Sequence, residues 1–140
     1  VFPFLFSLTL VVLQTIHIPM SIDKVNIYEK LSQFSEYWSP KVVGELNTQH
    51  VKLVKFKGEF VWHQHELEDE MFMVLEGEFQ MHLRDKIITL RKGEFLIVPR
   101  GTEHKPVAME EVHVLLFEPV TTLNTGDQEN DLTVHQPEHL

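Results

Sequence analysis

Between residues 41 and 117 the chain alternates between short apolar runs and residues that favour turns. The runs cover residues 41–46, 51–56, 60–64, 71–75, 79–83, 87–90, 95–98, 106–109 and 112–117. Between them stand Asn47, Gly58, the acidic stretch 66–70, Gly77, Arg84-Asp85-Lys86, Lys92-Gly93, Arg100-Gly101 and Glu110-Glu111. A period of two is visible where it can be checked: Phe79, Met81 and Leu83 share one face of a strand, Gln80 and His82 the other. Many short strands at near-regular spacing, with no long helical pattern between them, predict an all-β antiparallel sandwich or barrel.

The flanks of this region read differently. Asn26 can cap a short N-terminal helix over residues 27–34, with Ile27, Leu31 and Phe34 on one face. Pro40 ends that region, because it forces Ser39 into an extended conformation. Beyond Pro119, Thr121-Thr122-Leu123-Asn124-Thr125-Gly126-Asp127 and the acidic stretch to Leu140 predict an irregular tail over 119–140, lying along the barrel or a partner subunit. Residues 1–19 carry an apolar run without charge. They lack the positive n-region and cleavage site of a secretory signal, and the run breaks at Gln14, short of the roughly 20 apolar residues of a membrane span. Met20-Ser21-Ile22-Asp23-Lys24 resembles a cytosolic start. The expectation is therefore a non-native or over-extended leader over 1–19, one domain over 20–118, and a cytoplasmic location without membrane contact. The rival expectation for 1–19 is an N-terminal anchor or an added strand.

Composition removes several function classes. A chain of 140 residues fits one domain with one core. A formal charge of -9, with basic residues scattered among acids, excludes the clustered positive surface that nucleic acid requires. The absence of cysteine excludes disulfides, thiolate metal sites and cysteine nucleophiles. Nine histidines is a high count, and each has to be placed before it is explained.

Trp62-His63-Gln64-His65 is the most informative stretch. In an extended segment His63 and His65 project to one face, which gives half of a metal site. Any of Glu66, Glu68, Asp69 or Glu70 could add a carboxylate after a short turn, and His104 lies just beyond the turn at Pro99-Arg100-Gly101.

His63-x-His65-x4-Glu70-x6-Gly77 and Gly93-x5-Pro99-x-Gly101-x2-His104 resemble the two motifs of the cupin superfamily. Two positions depart from the usual pattern. Gly58 precedes His63 by four intervening residues instead of five, and Ala108 stands where an Asn often closes the second motif. The spacing and the ending Leu115-Leu116-Phe117-Glu118-Pro119 look like those of small single-domain bacterial cupins, some loosely described as mannose-6-phosphate isomerase-like. The resemblance implies a double-stranded β-helix, or jelly-roll, barrel. It selects Glu70 among the acids and implies that His63, His65, Glu70 and His104 hold one divalent transition metal ion, Fe, Mn, Zn or Ni. It also implies a small-molecule ligand or substrate and a homodimer, for which an exposed edge strand near residues 41–56 would be a natural pairing surface. The expected function is a metal-dependent oxygenase or isomerase-like enzyme, with a non-catalytic metabolite- or metal-sensing module as the alternative.

Other residues receive structural expectations. His82 is expected to be exposed and His113 to be a structural histidine, while Arg100 and Lys105 are expected to be rim charge beside His104.

Overall fold

Asn26 caps a short helix in the computed structural model, which describes residues 21–140; the leader expected over 1–19 lies outside the described residues. Helix α1, Ile27–Leu31, starts where Asn26 Oδ1 accepts the backbone N–H groups of Tyr28 (3.1 Å) and Glu29 (3.2 Å). It stops short of residue 34, because Ser32 at the C-cap turns its N–H back to Tyr28. Phe34 nevertheless packs with Leu31 against Val43, Leu53 and Leu75.

Seven strands follow: β1 Lys41–Leu46, β2 Gln49–Glu59, β3 Glu70–Glu76, β4 Glu78–Leu83, β5 Ile87–Arg91, β6 Phe95–Val98 and β7 His104–Pro119. All pair antiparallel, in the order β1-β2-β7-β3-β6, with β4 joining β7 and carrying β5. The expected all-β barrel of the cupin type is therefore the observed fold. β7 ties it together: residues 104–107 pair with β4, whereas the part from Val112 onward pairs with both β2 and β3.

Two expectations about strands are corrected. The runs at 106–109 and 112–117 belong to the single strand β7, and Glu110-Glu111 is not a turn between them. The β2–β7 register shifts there, between Phe56 and Gly58, and such an irregularity bends a strand so that it can serve both layers. The run at 60–64 forms no regular strand. It is held by one isolated bridge, in which His63 N–H reaches the His104 carbonyl (3.1 Å) and His104 N–H the His63 carbonyl (2.9 Å).

Alternation sorts the core into two. Val54 and Phe56 of β2, Phe72 and Val74 of β3, Phe79 and Met81 of β4, and Val112 and Val114 of β7 fill the barrel. Leu53 points the other way, under α1. Each such buried side chain contributes about 1.5–3 kcal/mol.

The tail lies along the barrel. Val42 N–H donates to the Glu138 carbonyl (2.8 Å), Leu140 N–H to that of Val42 (3.0 Å), and Leu132 packs on the interior cluster. This covers the β1 edge at Val42; β1 is one end of the strand order and β2 is internal, so the edge expected near 41–56 narrows to β1. β6 is the other end of that order, and β5, paired with β4 alone, is a further edge. Among the described residues, no helix is long and apolar enough to cross a membrane.

Candidate metal centre

Glu70 opens β3, His104 opens β7, and His63 and His65 lie in the extended segment bridged to His104. This segment is clamped on both sides. Gly101 N–H donates to the His65 carbonyl (2.7 Å), while Gln64 exchanges hydrogen bonds with Asp127, its carbonyl accepting Asp127 N–H (3.0 Å) and its own N–H reaching Asp127 Oδ1 (3.0 Å). Gly126 makes that second clamp possible. With φ +55°, it packs so closely that an added Cβ would run into the Gln64 carbonyl and lie 3.2 Å from His63 Cδ2.

The result is a convergent cluster: one donor atom from each of His63, His65, Glu70 and His104 lies within 4.8 Å of the others. The four side chains are nearly sealed from solvent, at 4%, 4%, 3% and 0% exposure in that order. His63 Nδ1–H donates to the Val61 carbonyl and His104 Nδ1–H to the Thr102 carbonyl, each at 2.9 Å. Both contacts fix the tautomer and turn Nε2 toward the cluster.

The electrostatics leave a place for a proton or a cation among the four side chains. His104 Nε2 and His65 Nε2 lie 3.1 Å and 2.9 Å from the same oxygen, Glu70 Oε2, yet the His65 nitrogen is buried without an aligned hydrogen bond. Nitrogen lone pairs facing a carboxylate oxygen repel unless a proton or a metal ion stands among them. Three imidazoles and one carboxylate suit a borderline divalent transition ion, so the cluster could hold one. Burial, then the neighbouring His104, pushes the His63 pKa down to about 4, keeping it in the neutral, metal-binding form at neutral pH. Burial alone would raise Glu70, but its contacts with His104 and His65 outweigh that and hold it well below the usual carboxylate range.

The competing acids point elsewhere. Asp69 accepts from the Arg100 backbone (2.9 Å) and guanidinium (3.2 and 3.3 Å), Glu68 accepts from the Thr121 hydroxyl (2.9 Å), and Glu66 is exposed. Arg100 is thereby occupied, and Lys105 pairs with Glu59 at 3.4 Å beside the Trp62 ring. His82 is half-buried, not exposed as expected, with its Nε2 on Gln80 Oε1 (3.1 Å). His113, also half-buried, meets Glu111 (2.8 Å). Neither joins the cluster. A cavity of about 230 Å³ reaches His65 between Leu67 and the tail residues Thr121 and Gly126.

Two residues of this region escaped the sequence reading, Glu118 and Lys52. They form a buried hydrogen-bonded pair, Lys52 Nζ donating to Glu118 Oε1 at 2.7 Å, on the strands beside Glu70. Burial and the Glu70 charge push the Glu118 carboxyl well above its ordinary range. The available signal was periodicity: Glu118 shares a face with Val112, Val114 and Leu116, and Lys52 with Val54 and Phe56.

Known proteins carry the same architecture. A family model described as the cupin domain matches residues 51–118, a span from within β2 to the end region of β7 that contains all four cluster residues. The crystal structure of a cupin-2 domain containing protein from Shewanella frigidimarina is similar with a TM-score of 0.67 and 48% sequence identity, covering 68% of this chain and 93% of that one. Protein NMB1881 from Neisseria meningitidis is similar with a TM-score of 0.65 at 28% identity, covering 69% and 99%. The uncharacterised protein YdbB of Bacillus subtilis is 38% identical over 80 residues, which is 56% of this chain and 65% of YdbB, just under two thirds of that relative's length. With a matching domain model, a jelly-roll order of strands, and near-half identity across almost the whole of a solved cupin-2 protein, the chain belongs to the cupin family.

Proposed function

We propose that this cupin binds one divalent transition metal ion through His63, His65, Glu70 and His104, and acts on a small, oxygen-rich, anionic molecule as a metal-dependent oxygenase or isomerase-type enzyme. One observation carries the reading: four buried donors converge, and two of the imidazoles are tied back through Nδ1 so that Nε2 faces the common point. Bound there, the ion supplies Lewis-acid polarisation of a carbonyl or enediol or, as iron, a redox centre for dioxygen chemistry. The protein's part is to keep His63 neutral, to aim the imidazoles, and to exclude bulk water. One carboxylate against a divalent ion leaves a positive shell, which favours an anionic ligand. The cavity beside His65 is the approach.

A second reading, a non-catalytic metabolite- or metal-sensing module, is favoured by the near-complete burial of the cluster beneath the tail. In either case the exposed Phe95 and Ile97 on the open β6 strand, beside the half-buried Met71, favour a homodimer. A clean monomer on gel filtration would remove that element.

The deciding experiment is metal content by mass spectrometry, on protein purified without chelator and with dioxygen excluded, beside the His63→Ala/His65→Ala double variant. The expected result is a bound transition metal in the wild type that is absent from the variant. No metal in either, even after reconstitution with each candidate ion, refutes the reading. Ligand-dependent stabilisation without turnover or dioxygen uptake would select the sensing module over the enzyme.

A further inference from the structure

Three neighbouring strands each send one ionisable side chain inward at the metal-centre end of the barrel. Lys52 on β2 is 2% exposed, Glu118 on β7 is 1% exposed, and Glu70 on β3 is 3% exposed. β7 lies between β2 and β3 in the sheet, so Glu118 is flanked by both partners. Lys52 Nζ donates to Glu118 Oε1 at 2.7 Å. The second oxygen, Oε2, is buried without a hydrogen-bond partner, and Glu118 continues the β3–β7 register beside Glu70, after the pairs Phe72–Leu116 and Met71–Phe117.

Stability does not account for this pair. The rest of that inward face is apolar, with Val54 and Phe56 on β2 and Val112, Val114 and Leu116 on β7. A buried Lys–Glu pair costs several kcal/mol per ion in desolvation, and apolar replacements of similar volume are often as stable or more so. Nor does Glu118 belong to the convergent cluster itself. What the pair adjoins, through the β3–β7 register, is the one carboxylate of that cluster. Glu70 presents Oε2 to both His65 and His104, and a carboxylate held by one oxygen keeps its plane only if the rest of the group is also fixed. Ligating carboxylates are in general themselves hydrogen-bonded, and their partners matter for metal affinity.

We propose that Glu118, anchored by Lys52, is a positioning residue for Glu70: it fixes the carboxylate so that Oε2 faces the three imidazoles. This rests on the metal-binding reading of the cluster. The Lys52–Glu118 pair then serves metal affinity instead of fold stability, and the two separate by experiment.

The test is titration of the metal-free full chain with Co(II), following both affinity and the visible absorption of the bound ion. The Lys52→Met/Glu118→Leu double variant fills the space with apolar atoms and leaves no charge unpaired. It is expected to match or exceed the wild type in thermal stability without metal, while binding Co(II) about 10–100-fold more weakly and with an altered spectrum. Glu118→Gln can accept from Lys52 and donate to Glu70 through one amide, so it is expected to keep near-wild-type affinity and spectrum. Unchanged Co(II) binding in the double variant overturns the proposal, as does a folded Glu118→Gln that binds as weakly as the double variant. If the double variant does not fold, Glu118→Leu takes its place beside Glu118→Gln: weaker Co(II) binding with an altered spectrum in Glu118→Leu but not in Glu118→Gln supports the proposal, and equal binding and spectra in the two overturn it. A wild type that takes up no Co(II) overturns the metal reading and this inference with it, and is thereby distinct from a failure of Glu118 alone.

Discussion

The two ends of the barrel interior are built from the same strands and differ in chemistry. β3 contributes Phe72 and Val74 to one end and Glu70 to the other; β7 contributes Val112 and Val114, then Glu118; β2 contributes Phe56 and Val54, then Lys52. At the apolar end, Phe56 packs edge-on to Phe79 with centroids 5.4 Å apart and stacks on Trp38 at 4.4 Å. At the other end, His63 lies 4.2 Å from His104 between ring centroids, and buried carboxylates replace the aromatic rings. Strand alternation decides only that a side chain points inward. Position along the strand decides whether it joins a core or a polar site. The polar end accepts desolvation that the apolar end must offset, so the two ends should answer differently to perturbation.

The largest expected effect is at the apolar end. Phe79 is 2% exposed in the middle of the interior cluster, and Phe79→Ala is expected to cost about 3–5 kcal/mol in chemical denaturation. The variant should still take up metal, because the cluster is anchored by the loops at 64, 101 and 127 and not by this ring. Loss of metal binding in a folded Phe79→Ala would show that the two ends are one unit.

The polar end should be sensitive to pH where the apolar end is not. The His63 pKa falls from 6.5 to about 4 on folding, so between these values the unfolded chain binds more protons than the folded one. Stability of the metal-free protein is therefore full above pH 6.5 and falls as pH is lowered toward 4, by up to about 3 kcal/mol from this group. Denaturation curves at several pH values would check it, and His63→Ala should flatten that slope. An equal slope in the variant would assign the acid sensitivity elsewhere.

The smallest effect lies where the tail meets the metal segment. Gly126→Ala places a Cβ against the Gln64 carbonyl in a left-handed backbone conformation, at a cost of roughly 1–3 kcal/mol. Because the displaced segment carries His63 and His65, metal affinity should fall with it. A destabilised Gly126→Ala with unaltered metal affinity would show that the tail supports the barrel but not the site.

Much of this molecule was legible along the chain, and the losses have physical causes. The strands at Phe95–Val98 and Lys41–Leu46, and the cap at Asn26, are written in local pattern and side-chain chemistry and appear where expected. Glu110-Glu111 reads as a turn in isolation, yet it lies within β7 because β2 can pair across the irregularity. Residues 60–64 read as a strand, yet they meet the start of β7 only at Phe60 and through one isolated bridge at His63, too little for a ladder. The four cluster residues could be singled out by the resemblance of their spacing to the cupin motifs, and they meet because Glu70 opens β3, His104 opens β7 and the segment with His63 and His65 is bridged to His104.

The sequence by itself determined which faces turn inward and where most of the turns fall, and its resemblance to the cupin motifs singled out His63, His65, Glu70 and His104. The faces and turns follow from period-two alternation and short-range turn chemistry, whereas the choice of Glu70 among the neighbouring acids came from the resemblance. The tertiary structure alone decided that Lys52 meets Glu118 across 66 residues of chain, that this pair backs Glu70, and that Gly126 presses on Gln64. Those contacts depend on the register of β7 between two partners and on the path of an irregular tail. Neither leaves a period in the sequence, because each is set by packing between segments that are remote along the chain.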